Sequence, residues 1–256
     1  MVEERVTNPV PRLSATMMVV REATGPHGFE VMAVKRSQNL RVLPGFMVFP
    51  GGVLDQMDVF TAKSLQDGQV RTPHLFAIQE AEFKGEVLPR QVLYLSLVAA
   101  GARELLEEAG IYMANSRQGE HLATIRASLL QGQGSEWIEL ITKESSWYPL
   151  RYVGRRVTPQ QVKHRFDTHF FIVQVPRDTV AIPSPDEVET VFWSTPEALL
   201  EGFQKDELHM APPTVDALMT LRHHQSLMDL MTKAQMPDQV NDEERINRFL
   251  RTLNAN

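Results

Sequence analysis

Three glutamates crowd into one stretch of the 256-residue chain: Glu104, Glu107 and Glu108, inside ARELLEEAGI (Ala102–Ile111). Their spacing of i, i+3 and i+4 places them on one face of a helix. The surrounding pattern makes this the helix's last turn, where the backbone dipole is negative and acids are unfavourable. Glu104 and Glu108 are also a like-charge i,i+4 pair. A solvated face is the plain alternative, since exposed charge is the usual case for glutamate. Two features weigh against it. Ala100 and Gly101 lie one turn earlier on the same face, and small residues let another backbone approach. The helix body is nearly all apolar, which anchors its end in the core. Carboxylates partly removed from water at the negative end of a dipole are strongly destabilised. A hard divalent cation, Mg²⁺ or Mn²⁺, reverses that: it takes carboxylate oxygens, keeps waters and is completed by substrate phosphates.

The element that must carry these acids is Gln91–Gly110. Pro89 precedes its start, Gly110 stands where a C-terminal cap belongs, and Leu95, Val98, Ala102, Leu105, Leu106 and Ala109 are spaced for one buried face. Upstream, Arg12–Ala23 and Phe29–Ser37 read as strands joined by the turn TGPHG. Phe46–Asp55 reads as a short strand running into a Pro-Gly-Gly loop, and Met57 to Pro89 as an irregular, partly helical insertion. Downstream, HLATIRASLL and SEWIELITKE read as helices, and RYVGRRVT, DTHFFIVQVP and VETVFW as strands. TPEALLEGF, PPTVDALMTLRHHQSLMDLM and DEERINRFLRTL close the chain as helices. Strands and helices mix without regular βαβ alternation, which predicts an α/β sandwich with a mixed sheet.

Bulk properties narrow the chemistry. The net charge of −6 argues against generic nucleic-acid binding, so an anionic substrate needs local cations or a metal. The absence of cysteine excludes disulfides, a thiolate nucleophile and a zinc–thiolate site. The N-terminus lacks the basic start and apolar run of a signal peptide. No apolar run approaches the roughly 18 residues of a membrane span, and RTLNAN is not a peroxisomal SKL signal. The expectation is a cytoplasmic protein without a membrane partner.

Arg103-Glu104-Leu105-Leu106-Glu107-Glu108-Ala109-Gly110-Ile111 resembles the second half of the Nudix box, R-E-U-x-E-E-x-G-U with U apolar. The first half, G-x5-E, is matched by Gly52, VLDQM and Asp58, with Asp in place of Glu. Val59 to Ala102 then intervene, 44 residues where the family usually places seven. An interrupted box after VFPGGVLDQMD resembles the branch of Nudix hydrolases that includes the mammalian peroxisomal coenzyme A diphosphatase. RFDTHFF (Arg165–Phe171) after Thr158-Pro159, and APPT (Ala211–Thr214), resemble it too. Val34–Gly52, VKRSQNLRVLPGFMVFPGG, is similar to the corresponding run of coenzyme A pyrophosphatases more widely. The resemblance covers about Ser14 to Leu227.

That resemblance implies a Nudix-type α/β/α sandwich with a mixed sheet, a helical insertion inside the box at about 59–90 and extra C-terminal helices at about 211–253. The whole chain, 1–256, would be one domain. It implies a Mg²⁺- or Mn²⁺-dependent diphosphatase whose substrate is a nucleoside diphosphate-linked small molecule, here coenzyme A or acyl-coenzyme A. The products would be adenosine 3′,5′-bisphosphate and (acyl-)phosphopantetheine. ADP-ribose or NADH hydrolysis is the alternative within the family, and a non-catalytic nucleotide sensor the alternative outside enzymes. Retention of all three box acids favours the enzyme. By motif position Glu107 and Glu108 are metal ligands, and Glu104 is a ligand or the general base. Arg103 orients a carboxylate by paired hydrogen bonds. Gly51 and Gly52 let the loop approach the helix and donate to a phosphate or a carboxylate. Asp58 stands at the first half's acid. Glu187 or Glu189, before and on VETVFW, is the candidate acid from outside the box. Lys35, Arg36 and Arg41 are candidate phosphate-binding cations. Nudix proteins often pair, so the resemblance also allows a homodimer.

Other residues weigh less. Arg151, Arg155, Arg156, Lys163 and Arg165 could meet the 3′-phosphate of coenzyme A, but mixed surface charge is the commoner meaning. His164, His169, His223 and His224 show no metal-ligand spacing. Ser37 and Ser194 lack a nucleophile elbow.

Overall fold

The computed structural model describes residues 9–25, 28–65, 70, 75–114 and 119–239, together with 243, 244, 247, 249 and 251. The centre is a seven-stranded mixed sheet built on β1 (Arg12–Glu22). One edge of β1 pairs in parallel with β8 (Phe166–Gln174) from Arg12 to Val20, and β8 pairs antiparallel with β7 (Leu150–Val157). The other edge is shared. β2 (Phe29–Arg36) pairs antiparallel with β1 only near the hairpin, from Val20↔Val31 to Glu22↔Phe29. The two strands then diverge. β3 (Met47–Val48) continues along β2, β4 (Gly51–Val53) continues along β1, and the corner at Pro50 spans the gap. β9 (Val188–Ser194) covers the outer edge of β2.

Period-2 alternation sends the side chains of β1 and β8 into two separate cores. Ala15, Met17, Val19, Phe171 and Val173 face the long helix α2 (Arg90–Ala109) together with α1 (Gln56–Ser64), α3 (Gly119–Leu130) and α4 (Ser135–Lys143). Met18, Val20, Phe170 and Ile172 face α5 (Pro196–Gln204), α6 (Pro212–Arg222) and α7 (Leu227–Lys233). This is the expected α/β/α sandwich. α2 ends as its sequence predicts, on Gly110 with φ 66° and ψ 17°, a left-handed cap. One expectation needs correction. The small-residue stripe admits a side chain rather than another backbone, because a Cβ at Gly101 would collide with the Met17 thioether.

The insertion is only partly helical. α1 begins at Gln56, ahead of the expected boundary. Asp55 accepts the Met57 N–H at 2.9 Å and Asp58 reaches back to the Asp55 N–H at 2.8 Å, a reciprocal cap. A 3₁₀ turn follows at Leu75–Ala77, then a hairpin of β5 (Ala81–Phe83) and β6 (Glu86–Leu88). The single helix expected over Pro212–Met231 is two. Ser226 caps α7 by accepting the Asp229 N–H at 3.1 Å, and His224 Nδ1 lies 2.7 Å from Asp229 Oδ2. Leu221, Leu227 and Leu230 enter the same core on the two sides of the break, with the polar run Arg222–Ser226 between them. Beyond α7 the chain crosses β7, where Met236 N–H donates to Val153 O and Gln239 makes both amide bonds to Val157. The last predicted helix, from Asp242, falls largely outside the described residues. No helix among the described residues is long and apolar enough to cross a membrane.

The corner that joins β3 to β4 is tightly packed. A Cβ at Gly51 would collide with the backbone oxygen of Ala15 in β1, which has no rotamer to yield. Gly51→Ala should therefore destabilise by about 1–3 kcal/mol, the usual range for overpacking. Urea unfolding measures this, and an unchanged midpoint would show that β4 tolerates displacement from β1.

Candidate active site

Arg103 projects from α2 and is 7% exposed. A guanidinium carries five N–H donors, and here each has an acceptor. Nε and Nη2 take the two oxygens of Asp58 at 3.0 and 3.1 Å. Nη2 also donates to Val53 O at 3.2 Å. Nη1 donates to Glu104 Oε1 at 2.8 Å and to Glu107 Oε2 at 2.9 Å. Burial pulls the Arg103 pKa down, but the Asp58 hydrogen bonds and the Glu104, Asp58 and Glu107 charges carry it above its ordinary value. The cation is permanent. Asp58 is fully buried, and burial raises its carboxyl against the pull of Arg103. The acid matched to the first half of the box thus serves to hold Arg103 and to cap α1.

The three glutamates stand where α2 meets the Pro-Gly-Gly corner. Glu108, 4% exposed, accepts the Gly51 N–H at 3.1 Å on Oε2, and Arg36 Nη1 lies 3.9 Å from its Oε1. Gly52 lies against Glu104, and a Cβ there would collide with the carboxylate. So Gly51 meets a carboxylate directly, one of the two roles expected for the pair. Burial raises all three acids. Glu104 is raised, with Arg103 opposing and Glu187 adding repulsion. Glu107 is pushed up to about 7 by burial, with Arg103 opposing and Glu104 adding repulsion. Glu108 is raised well above its usual range by burial and then by Glu104.

Glu187 adds repulsion to all three acids, whereas Glu189 is exposed and paired with Lys35 at 2.9 Å. Of the two candidate acids from outside the box, Glu187 is the one whose charge bears on the turn. Arg36 is tied by Nε to Val42 O at 3.1 Å, and Arg41 is exposed. The other basic cluster is mostly engaged elsewhere. Arg155 pairs with Asp167, Arg156 with Asp216, Arg151 donates to Ala234 O and Arg165 to Thr158 O. These are structural contacts at the far edge of the sheet. His169 is buried beside Tyr152, 3.2 Å from its hydroxyl, and burial pushes its imidazole down to about 4.

The end of α2 is held by residues that sequence reasoning passed over. Arg126 of α3 donates to Glu107 O, Ile182 N–H to Ala109 O and Ser184 N–H to Glu108 O. The only hint in the sequence was negative, since the last turn of α2 contains no basic residue to balance its acids.

The donor set fits a hard divalent cation in its chemistry. It offers three carboxylates whose burial and mutual repulsion disfavour charge, and one oxygen on each is without a hydrogen bond among the described residues. In this arrangement Glu104 and Glu107 each turn an oxygen to Arg103. Among the described residues, no three acids converge as a ready coordination shell.

Residues 12–221 match the family described as the NUDT19 Nudix domain. The acyl-coenzyme A diphosphatase NUDT19 of Xenopus laevis is 26% identical over 262 aligned residues, covering 86% of this chain and 67% of that protein. The protein of the same name from Gallus gallus is 26% identical over 248 residues, covering 80% of this chain and 64% of that protein. This chain thus spans about two thirds of the length of these relatives. A NUDIX hydrolase from Alicyclobacillus acidocaldarius superposes with a TM-score of 0.69 at 24% identity, covering 90% of this chain and 99% of the other, which shows a common fold.

Two outcomes follow from the geometry. Asp58→Ala leaves a buried guanidinium without its paired acceptor and should cost about 3–5 kcal/mol in denaturant unfolding; a loss under 1 kcal/mol would mean that Arg103 finds another partner. The second concerns pH. A carboxyl raised on folding contributes stability at low pH that is lost as pH climbs through its folded value, about 7 for Glu107. The depressed His169 acts oppositely, but its contribution is complete above its unfolded value of about 6.5. Between pH 6.5 and 8 the acids therefore dominate this balance, and the melting temperature in chelator should fall. Glu107→Gln should flatten that fall, and an unchanged slope would remove Glu107 as its source.

Proposed function

This chain belongs to the NUDT19 Nudix domain family and is a Nudix hydrolase; from that premise we propose that it hydrolyses the diphosphate bond of coenzyme A or acyl-coenzyme A. The products are adenosine 3′,5′-bisphosphate and (acyl-)phosphopantetheine. The observation that carries the reading is the acid turn, with Glu108 buried and Glu104 and Glu107 partly buried, held against the Pro-Gly-Gly corner by Arg103 and the Gly51 N–H. Two relatives matched over most of this chain are named acyl-coenzyme A diphosphatases.

Glu107 and Glu108 would hold Mg²⁺ or Mn²⁺, with Glu104 as a further ligand or as the base. The bound cation would shield phosphate charge and acidify water. The chain's own residues supply the rest. A water oxygen bonds to one phosphorus as the bridging P–O bond breaks, and a carboxylate of the turn takes the water's proton. Arg103 holds Glu104 and Glu107 in register through one nitrogen, which keeps the acids oriented without contact with substrate. Arg36, beside Glu108, supplies positive charge at the mouth of the turn for a phosphate oxygen.

The test is incubation with Mg²⁺ or Mn²⁺ and a panel of coenzyme A, acyl-coenzyme A, ADP-ribose and NADH. Coenzyme A or its thioesters should be cleaved fastest. Cleavage of ADP-ribose or NADH alone would overturn the substrate, and no turnover on any compound would overturn the reaction. Glu108→Gln should reduce kcat by at least about a hundredfold, the scale of removing one preorganised charge-stabilising group.

A further inference from the structure

The last turn of α2 carries Glu107 and Glu108 and contains no basic residue. Helix ends leave terminal carbonyls that must be satisfied from outside. Gly110 N–H closes on Leu106 O at 3.0 Å, as a cap does. The three later carbonyls depend on distant segments. Glu107 O accepts Nε and Nη2 of Arg126 at 3.1 and 2.9 Å. Glu108 O accepts Ser184 N–H at 3.0 Å, and Ala109 O accepts Ile182 N–H at 2.7 Å. Arg126 Nη2 also donates to Ile182 O at 2.8 Å. One guanidinium therefore joins the end of α2 to the segment that begins at Ile182. That segment leads directly to Glu187, whose N–H donates to Ser184 O at 3.1 Å.

We propose that Arg126 is a positioning residue for hydrolysis, a clamp that sets the acid turn of α2 and the Glu187 segment in one fixed geometry. The inference rests on the functional reading above, in which these acids carry the chemistry. Several observations converge on it. The clamp bonds the peptide of Glu107 itself, one residue from Glu108. Its planar fork reaches carbonyls on two different elements at once, which a lysine's single nitrogen does less well. Its cation lies at the negative end of the helix, where it offsets both the dipole and the acids. Gly110 makes room for it, since a Cβ there would come within 3.1 Å of Arg126 Nη1. Glu187, brought in by the clamped segment, is one of the charges felt by Glu104, Glu107 and Glu108.

The experiment compares the full chain with Arg126→Ala and Arg126→Lys. It reads kcat and KM with acyl-coenzyme A, the affinity for Mn²⁺ alone by calorimetry, and the melting temperature. Arg126→Ala should lower kcat on the order of tenfold or more, as small misplacements of catalytic groups do, with KM little changed. Mn²⁺ affinity should weaken several-fold, and Arg126→Lys should recover part of both. Combined with Glu187→Gln, the loss in kcat should be smaller than the product of the single losses, because both changes act on one geometry. If Arg126→Ala does not fold, Arg126→Lys and its combination with Glu187→Gln are read in its place. Unchanged kcat and Mn²⁺ affinity in folded variants, with Glu108→Gln inactive, would reduce Arg126 to an ordinary helix cap. A wild-type chain that neither binds Mn²⁺ nor turns over any substrate would overturn the functional reading, and the clamp with it.

Discussion

A guanidinium can stay charged in this core because every one of its five N–H groups finds an oxygen, and those oxygens come from three elements. Arg103 takes both oxygens of Asp58 in α1, the carbonyl of Val53 in β4 and one oxygen each from Glu104 and Glu107 in its own helix. A buried ion pair of this kind contributes little net stability relative to an apolar replacement, yet removing one partner is costly because the other is stranded. The interaction is therefore better understood as a device of geometry. It ties the insertion helix, the Pro-Gly-Gly corner and the acid turn into one unit, and none of the three can shift without unpairing Arg103.

The sheet provides the place for that unit. β1 and β2 part after their hairpin, and β3 and β4 fill the opening along different strands. The corner between them turns its backbone toward α2, so a Gly51 N–H can reach Glu108. Two glycines in succession are needed for different reasons. Gly51 packs on the β1 backbone, and Gly52 packs on the Glu104 carboxylate. The resulting site works against the stability of the fold, since burial raises Glu104, Glu107 and Glu108 together. Such local conflict is what a functional site leaves in an otherwise consistent structure.

Much of this was legible in the chain. The helix from Arg90 to Ala109 and its Gly110 cap follow from a buried stripe and a terminal glycine, which are local signals. The three acids were legible because i, i+3 and i+4 spacing alone sets a shared face. Where the reading went astray, a local signal was masked by a tertiary one. Leu221 of α6 and Leu227 and Leu230 of α7 share one core, although the polar run Arg222–Ser226 separates them and the Ser226 cap and the His224–Asp229 contact mark the break. The insertion's hairpin was hidden in a stretch with weak periodicity.

Local spacing and residue type determined which side chains share one face of α2, where that helix stops, and that its acids need a counter-charge. They could not say where the counter-charge comes from, because side chains far apart in sequence are brought together only by packing. Folding chose Asp58 as the anchor of Arg103 across 45 residues and turned Glu189 to Lys35. It also brought Arg126, 19 residues beyond Glu107, to the end of the helix. The physical reason is that a buried carbonyl or charge must be met by some partner, but which partner meets it is decided by the docking of helices and strands, and that docking has no local signature.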